Sequence, residues 1–384
     1  MNYQSRHKMI SLCPGRILIS LLLIITFTRT AYSKIDPESN RSEAIQEALS
    51  EIVEDGKTPG MIAAIISSDG VISIASAGVR KAGSDIAFTT DDHVHLGSCT
   101  KAMTSTMIAT LVAEGRLDWD TKLIDAIPEL NGSIHSDYYN ITVWQLITHQ
   151  AGLPKNAKDW DAHKKKEIKE RRLAILIDNL QEPAPYKSGE FHYSNYGYMV
   201  AACMAEKITG LSWETLMRNR LFEPLGMTTA GFGAPGTPDK IDQPWGHEKT
   251  WFGHRWKSDQ SDNPEALGPA GMVHCSIEDW GKFLSLQLTD ENPILERQYL
   301  DKLIEPDGFY AGGWGVLEQP WAEGVILVHN GSNGIWYADV VVVPEVDRAF
   351  IVATNSRDFG VTVDICKEIM RKLIKMSLPG EVLN

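Results

Sequence analysis

Gly97-Ser98-Cys99-Thr100-Lys101 is followed by the apolar and hydroxyl-rich run Ala102–Ala113. The helix opened at Ser98 is expected to run to about Glu114 and to stop at Gly115. Residues three apart on a helix share a face, so the Lys101 amine reaches the Ser98 hydroxyl. A serine needs a base before it can attack a carbonyl, and a lysine with a lowered pKa supplies one. Placed at a helix N-terminus, Ser98 also lies where backbone N–H groups favour developing negative charge. Spacing alone is weak evidence, because Ser5-Arg6-His7-Lys8 repeats it. Only Ser98 follows a strand-like stretch and a glycine and opens a helix.

Outward from this point the chain changes character twice. Upstream, residues 41–55 carry apolar side chains on one helical face, and Gly60–Ser67 and Val71–Ala77 read as strands joined by a turn at Ser68-Asp69-Gly70. Downstream to about residue 265, the chain reads as helical and loop-rich, with helices at Val143–His149, Tyr198–Thr209 and Trp213–Leu221. The charged run Lys155–Arg172 is expected to be a solvated face or loop. Strands return at Val325–His329, Trp336–Val343 and Ala349–Thr354, and a helix at Asp364–Met376 closes the chain. The pattern predicts an α/β (α+β) fold: an antiparallel sheet flanked by helices and formed from both termini, with an inserted, mainly helical part. Sheet-forming sequence occupies about 40–97 and 266–384, and the helical part about 98–265.

Two further constellations follow Ser98. Tyr193-Ser194-Asn195 precedes an apolar helix. A tyrosine there can relay a proton, and an asparagine can hold an amide by donor and acceptor together. Tyr138-Tyr139-Asn140 has the same form but lies in a polar loop. His329-Asn330-Gly331 ends a strand. Its imidazole can hold a carboxylate or orient Tyr193, and Gly331 leaves room for substrate along the strand edge.

Other chemistries find little support. Ser261-Asp262-Asn263 lies in a polar loop after Tyr193 and is not read as catalytic. His93-x-His95 lacks a third metal ligand, so no metal is expected. Trp251, Trp256, Trp314 and Trp336 suit cleft lining and core packing equally. No Gly-x-Ser-x-Gly elbow or phosphate-binding glycine loop occurs, and no cofactor is expected. Residues 1–33 combine a basic start, the apolar run Ile17–Phe27 and Ala31-Tyr32-Ser33, which reads as an export signal cleaved after Ser33. Its removal takes away four basic residues and no acid, moving the net charge from −13 to −17. Such acidity disfavours nucleic acid and anionic membranes as partners. The expected location is the periplasm or outside the cell, with no stable membrane span after cleavage. Cys99, Cys203, Cys275 and Cys366 then remain. Export permits disulfides and three pairings are open, while Cys99 and Cys203 suit buried thiols.

In this order, Ser98–Lys101, Tyr193–Asn195 and His329–Gly331 resemble the Ser-x-x-Lys, Tyr-x-Asn and Lys/His-x-Gly motifs of the β-lactamase-related serine hydrolases. Class C β-lactamases, penicillin-binding D,D-carboxypeptidases and related esterases belong to that family. The likeness extends through Thr148-His149, Gly152-Leu153-Pro154, Phe222–Met227 and Pro269–Met272 and covers about residues 40–375. It implies a β-lactamase/penicillin-binding transpeptidase-like fold. It further implies Ser98 as acylated nucleophile, Lys101 as its base or the residue that tunes it, Tyr193 as proton relay to the leaving group and activator of deacylating water, and Asn195 as a substrate-amide contact. His329, Asn330, Gly331 and Ser332 would line the substrate strand. The oxyanion hole would be the backbone N–H groups of Ser98 and Ser332. Histidine stands at 329 where class C β-lactamases usually carry lysine, and Asn330 replaces a hydroxyl residue. His329 and Tyr193-Ser194-Asn195 lean towards peptidase or esterase action on a small-molecule or peptide substrate, and the change at Asn330 bears on how a substrate carboxylate is held. A β-lactamase and a non-turnover penicillin sensor are the alternatives.

Overall fold

The computed structural model describes residues 38–250, 255–358 and 360–378. The proposed signal at 1–33, the Ser5–Lys8 repeat and Trp251 lie outside them. Six antiparallel strands form the main sheet: β1 (Gly60–Ser67), β2 (Gly70–Gly78), β3 (Gly315–Gln319), β4 (Gly324–Gly331), β5 (Tyr337–Val343) and β6 (Arg348–Thr354). Their spatial order is β2-β1-β6-β5-β4-β3, so the first strand pairs with the last, Met61 opposite Thr354. This is the antiparallel sheet from both ends of the chain that the sequence predicts.

Period-two alternation explains why β1 is apolar throughout. Met61, Ala63 and Ile65 join one core cluster, and Ile62, Ala64 and Ile66 another. The first cluster is completed by helices α1 (Glu38–Glu54) and α5 (Val361–Ser377), through Ile45, Leu49, Ile52, Ile365, Ile369 and Leu373. The second faces the helical insert, with α2 (Thr100–Ala113) inside it and α4 (Ile277–Ser285) packed over β1 and β2. Burying each such side chain stabilises the fold by roughly 1.5–3 kcal/mol before chain entropy is counted. Twelve consecutive residues of α2, Thr100 to Leu111, are buried, so this helix is enclosed on every side.

The insert departs from expectation at its charged run. Helix Ile168–Asn179 turns Arg171 and Arg172 inward rather than to solvent. Arg172 is fully buried and donates to Glu206 Oε1 at 2.6 Å and Glu214 Oε1 at 2.5 Å. The two carboxylates explain why a guanidinium is tolerated there. Glu206 lies on α3 (Asn195–Thr209), which ends at left-handed Gly210 as a glycine stop requires. A small sheet of His93–His95, Val273–Ser276 and Gly231–Phe232 leads into the Ser98 turn. Trp314 and Trp336 are core residues. The cysteines Cys99, Cys203, Cys275 and Cys366 are unpaired and buried. Among the described residues no helix is long and apolar enough to cross a membrane.

Candidate active site

Ser98 lies in a single 3₁₀ turn, Gly97–Cys99, that runs directly into α2. The helix therefore begins at Thr100 rather than at Ser98, yet the spacing argument survives. Lys101 Nζ is 3.0 Å from Ser98 Oγ and donates to the Ala270 carbonyl oxygen at 2.7 Å. The amine is completely buried. Burial pushes its pKa well below that of a free lysine, and the Lys155 charge adds to this against an opposing pull from Cys99.

Tyr193 sits immediately before α3. Ser194 caps that helix, accepting the Gly197 N–H at 2.9 Å and donating to the Pro154 carbonyl at 2.7 Å. The cap fixes the direction in which Tyr193 enters the cleft. Its ring centroid is 5.0 Å from Lys101 Nζ. Burial raises the phenol pKa to about 12, although a hydrogen bond with Ser98 pulls the other way. Asn195 lies beside it, its amide donating to Asn156 Oδ1 at 2.9 Å.

The third motif arrives on β4, where His329 pairs with Val340 and Gly331 with Ala338 of β5. Contact with the serine turn is made by the Cys99 thiol, 3.7 Å from the His329 carbonyl oxygen, and by close backbone approach. A Cβ on Gly331 would lie 2.0 Å from the Leu96 oxygen and 2.5 Å from the Ser98 nitrogen. Gly97, at φ +50°, faces the same seam, 2.2 Å from the Ser332 nitrogen by the same construction. Only glycines permit this approach, and it sets the Ser98 and Ser332 amides beside each other. Asn330 is exposed, and Ser332 Oγ accepts the Gly334 N–H at 3.0 Å.

His329 has a different environment from the one its sequence position suggests. It is nearly buried. Nδ1 donates to the Asn330 carbonyl at 2.7 Å, which leaves Nε2 to accept from Tyr310 Oη at 3.1 Å. Burial, then the Lys101 charge, lowers its pKa to about 3. The ring is thus neutral with both nitrogens engaged.

Several neighbours carried no sequence signal of their own. His149 is buried with φ +63° beside Tyr193, ring centroids 4.3 Å apart. Its Nδ1 accepts the Ser194 N–H at 3.1 Å, and burial and Lys101 keep the imidazole well below its usual pKa. Tyr198 donates to the Ile147 carbonyl at 2.8 Å and closes the pocket behind Lys101. Thr148-His149 and Pro269–Met272, outside the three motifs, supply His149 beside Tyr193 and the Ala270 carbonyl that holds Lys101. Asp262, from the triplet rejected above, lies against His95 and Asn333. His93 and His274 stack, centroids 5.8 Å apart. No cluster of three or more metal-binding side chains forms among the described residues.

A serine, a buried amine and a phenol gathered beside the close backbone seam of Gly97 and Gly331 define an acyl-transfer type of site. The chain matches the β-lactamase family over residues 45–372 and belongs to it. It is 25% identical over 363 residues to penicillin-binding protein 4 of Amycolatopsis lactamdurans, covering 86% of this chain and 88% of that one. Protein flp of Staphylococcus aureus (strain N315) is 22% identical over 330 residues, covering 83% of this chain, which spans only 64% of flp. Among solved structures, a class C β-lactamase from Rhodobacter sphaeroides superposes with a TM-score of 0.70 at 19% identity, covering 87% of this chain and 99% of that one. The protein is a serine hydrolase of the β-lactamase family, with the β-lactamase/transpeptidase-like fold.

Proposed function

We propose that the protein cleaves an ester, amide or peptide bond through an acyl-enzyme on Ser98. The observation that carries this reading is the 3.0 Å approach of the buried, pKa-lowered Lys101 amine to the Ser98 hydroxyl. With one N–H given to Ala270, the amine's lone pair can take the Ser98 proton as Oγ bonds to the substrate carbonyl carbon. The resulting oxyanion falls to the amides of Ser98 and Ser332. Collapse breaks the bond to the leaving group, which takes the Tyr193 proton, and Tyr193 is reprotonated from the Lys101 ammonium. A phenol raised to about 12 is a proton donor at neutral pH rather than a standing phenolate, which suits this relay. Water then releases the acyl group by the reverse route.

Within this chemistry we favour the esterase and peptidase side over β-lactam hydrolysis. A neutral His329 with both nitrogens occupied offers no cation to a substrate carboxylate. We also propose export, with residues 1–33 removed, which N-terminal sequencing of the secreted protein would test. A fluorophosphonate probe is expected to label Ser98 and to leave Ser98→Ala unmodified. p-Nitrophenyl esters are expected to turn over faster than a chromogenic cephalosporin, with D-Ala-D-Ala peptides as the third arm. Labelling at another residue would sink the nucleophile assignment. Fast cephalosporin turnover would reverse the preference, and a stable adduct without turnover would indicate a sensor.

A further inference from the structure

Two donors aimed at one oxyanion act together only if the segments carrying them keep a fixed separation. The glycine contact between Gly97 and Ser332 is non-directional and does not by itself prevent sliding. A continuous polar chain spans the same seam. His95, fully buried, accepts the Gly97 N–H on Nδ1 at 3.1 Å. Its single ring proton is therefore on Nε2, which donates to the Asp262 carboxylate, 3.1 Å from Oδ2 and 3.0 Å from Oδ1. Asp262 Oδ1 also accepts the Asn333 side-chain N–H at 3.0 Å. Asn333 Oδ1 accepts the N–H groups of Ile335 at 3.2 Å and Trp336 at 3.0 Å, which closes the turn after Ser332.

The two ends of this chain are one residue from the two donors: Gly97 precedes Ser98, and Asn333 follows Ser332. Its centre is tied to the lysine as well. The Asn263 side chain donates to the Gly271 carbonyl at 2.8 Å, next to the Ala270 carbonyl that holds Lys101. With the Gly97 N–H taken by His95 and the Cys99 N–H by the Leu96 carbonyl at 3.1 Å, the Ser98 N–H is the donor of the turn left without a partner among the described residues. We propose that Asp262 is a positioning residue: it clamps His95 to Asn333 and so sets the separation of the Ser98 and Ser332 amides. The proposal rests on the acyl-enzyme reading above. It gives the Ser261-Asp262-Asn263 loop a role in rate without contact with substrate.

The test exchanges the two side chains. Asn333→Asp keeps the acceptor for Ile335 and Trp336 but sets two carboxylates against each other. With a p-nitrophenyl ester, kcat is expected to fall about 10- to 100-fold with KM changed less than about threefold. Inhibition by phenylboronic acid, which forms a tetrahedral adduct on the serine, should weaken by a similar factor. In the double variant Asp262→Asn/Asn333→Asp the amide at 262 donates to the carboxylate at 333 and still accepts from His95. Most of the lost kcat should return, a coupling that damage to the loop alone would not produce. A folded Asn333→Asp variant within about threefold of wild-type kcat, or a double variant no better than the single, would overturn the clamp. If Asn333→Asp does not fold, Asp262→Asn alone is expected to lose about tenfold in kcat, and an unchanged value overturns the proposal. Ser98→Ala separates the two ideas. Hydrolysis surviving that substitution removes the nucleophile and the clamp together, whereas its loss alongside a fully active Asn333→Asp removes the clamp alone.

Discussion

Replacing Arg172 with methionine removes the brace of the helical insert at nearly constant volume. The guanidinium binds Glu206 and Glu214, donates to the carbonyl oxygens of Ala266 at 3.4 Å and Glu265 at 3.2 Å, and lies 5.7 Å from the Trp213 ring centroid. The two carboxylates respond differently. Glu214 is 26% exposed and can turn to water, whereas Glu206 is 4% exposed and keeps only the Trp213 N–H at 2.8 Å. One carboxylate, not two, is therefore stranded. Stranding a buried charge costs about 3–5 kcal/mol. At about 2 °C per kcal/mol, a long chain should lose roughly 6–10 °C in melting temperature.

The sign of the pH dependence follows from Glu206. Burial already raises its pKa, although Arg172 pulls it down. Without Arg172 the burial effect stands alone and the native pKa climbs further. A carboxyl whose pKa is higher folded than unfolded holds its proton more tightly in the native state. Its destabilising effect is then absent below the unfolded pKa and grows as pH rises through the folded one. The Arg172→Met deficit should be smaller at about pH 5 than at about pH 8, read by thermal unfolding against wild type. Adding Glu206→Gln keeps an acceptor for Trp213 and should recover at least about 2 kcal/mol of the loss. A single variant melting within about 2 °C of wild type, or one with an equal deficit at both pH values, would refute this account of the insert.

Three shorter predictions concern the site itself. Gly331→Ala should cost at least about 100-fold in kcat/KM towards a p-nitrophenyl ester, because its Cβ meets the Leu96 oxygen and the Ser98 nitrogen. Because the base works unprotonated, activity should be present above the lowered Lys101 pKa and fall below it. The acid limb of kcat/KM should thus lie far below the titration of a free lysine, and Lys101→Met should remove about 10²–10⁴ of the rate. Tyr310→Phe leaves His329 Nε2 buried without its donor and should lower stability by about 1–3 kcal/mol in denaturant unfolding.

What could be read from the sequence was local. The strands of the last third announce themselves through β-branched residues, and Gly115 and Gly210 stop helices where a left-handed residue is needed. The Ser98–Lys101 spacing works because helical geometry fixes it. Long-range polar packing left no such trace. Arg172 looks like its charged neighbours until Glu206 and Glu214 arrive from elsewhere in the chain. Strand β3, with Glu318 and Gln319 at the sheet edge, lacks the apolar density of β5. Asp262 belongs to a triplet in a polar loop after Tyr193, and nothing in that local sequence announces its partners His95 and Asn333. His329 matches a motif by position while its hydrogen bonds follow from Tyr310, a residue the motif does not include.

The pocket is best understood as three nitrogen bases competing for protons in a buried space. Burial lowers Lys101, His149 and His329 alike, and the lysine charge lowers both histidines further. Such groups titrate as a set, and protonating one makes the next protonation harder. Both imidazoles answer by turning a lone pair to a fixed donor: His149 to the Ser194 N–H and His329 to the Tyr310 hydroxyl. With those lone pairs occupied, the Lys101 amine is the base left facing Ser98 at 3.0 Å. In the proposed mechanism the two histidines would thereby leave the serine proton to the lysine. Histidine at 329 also spares the pocket a fixed cation at that position, which would have lowered the Lys101 pKa further at the expense of its strength as a base.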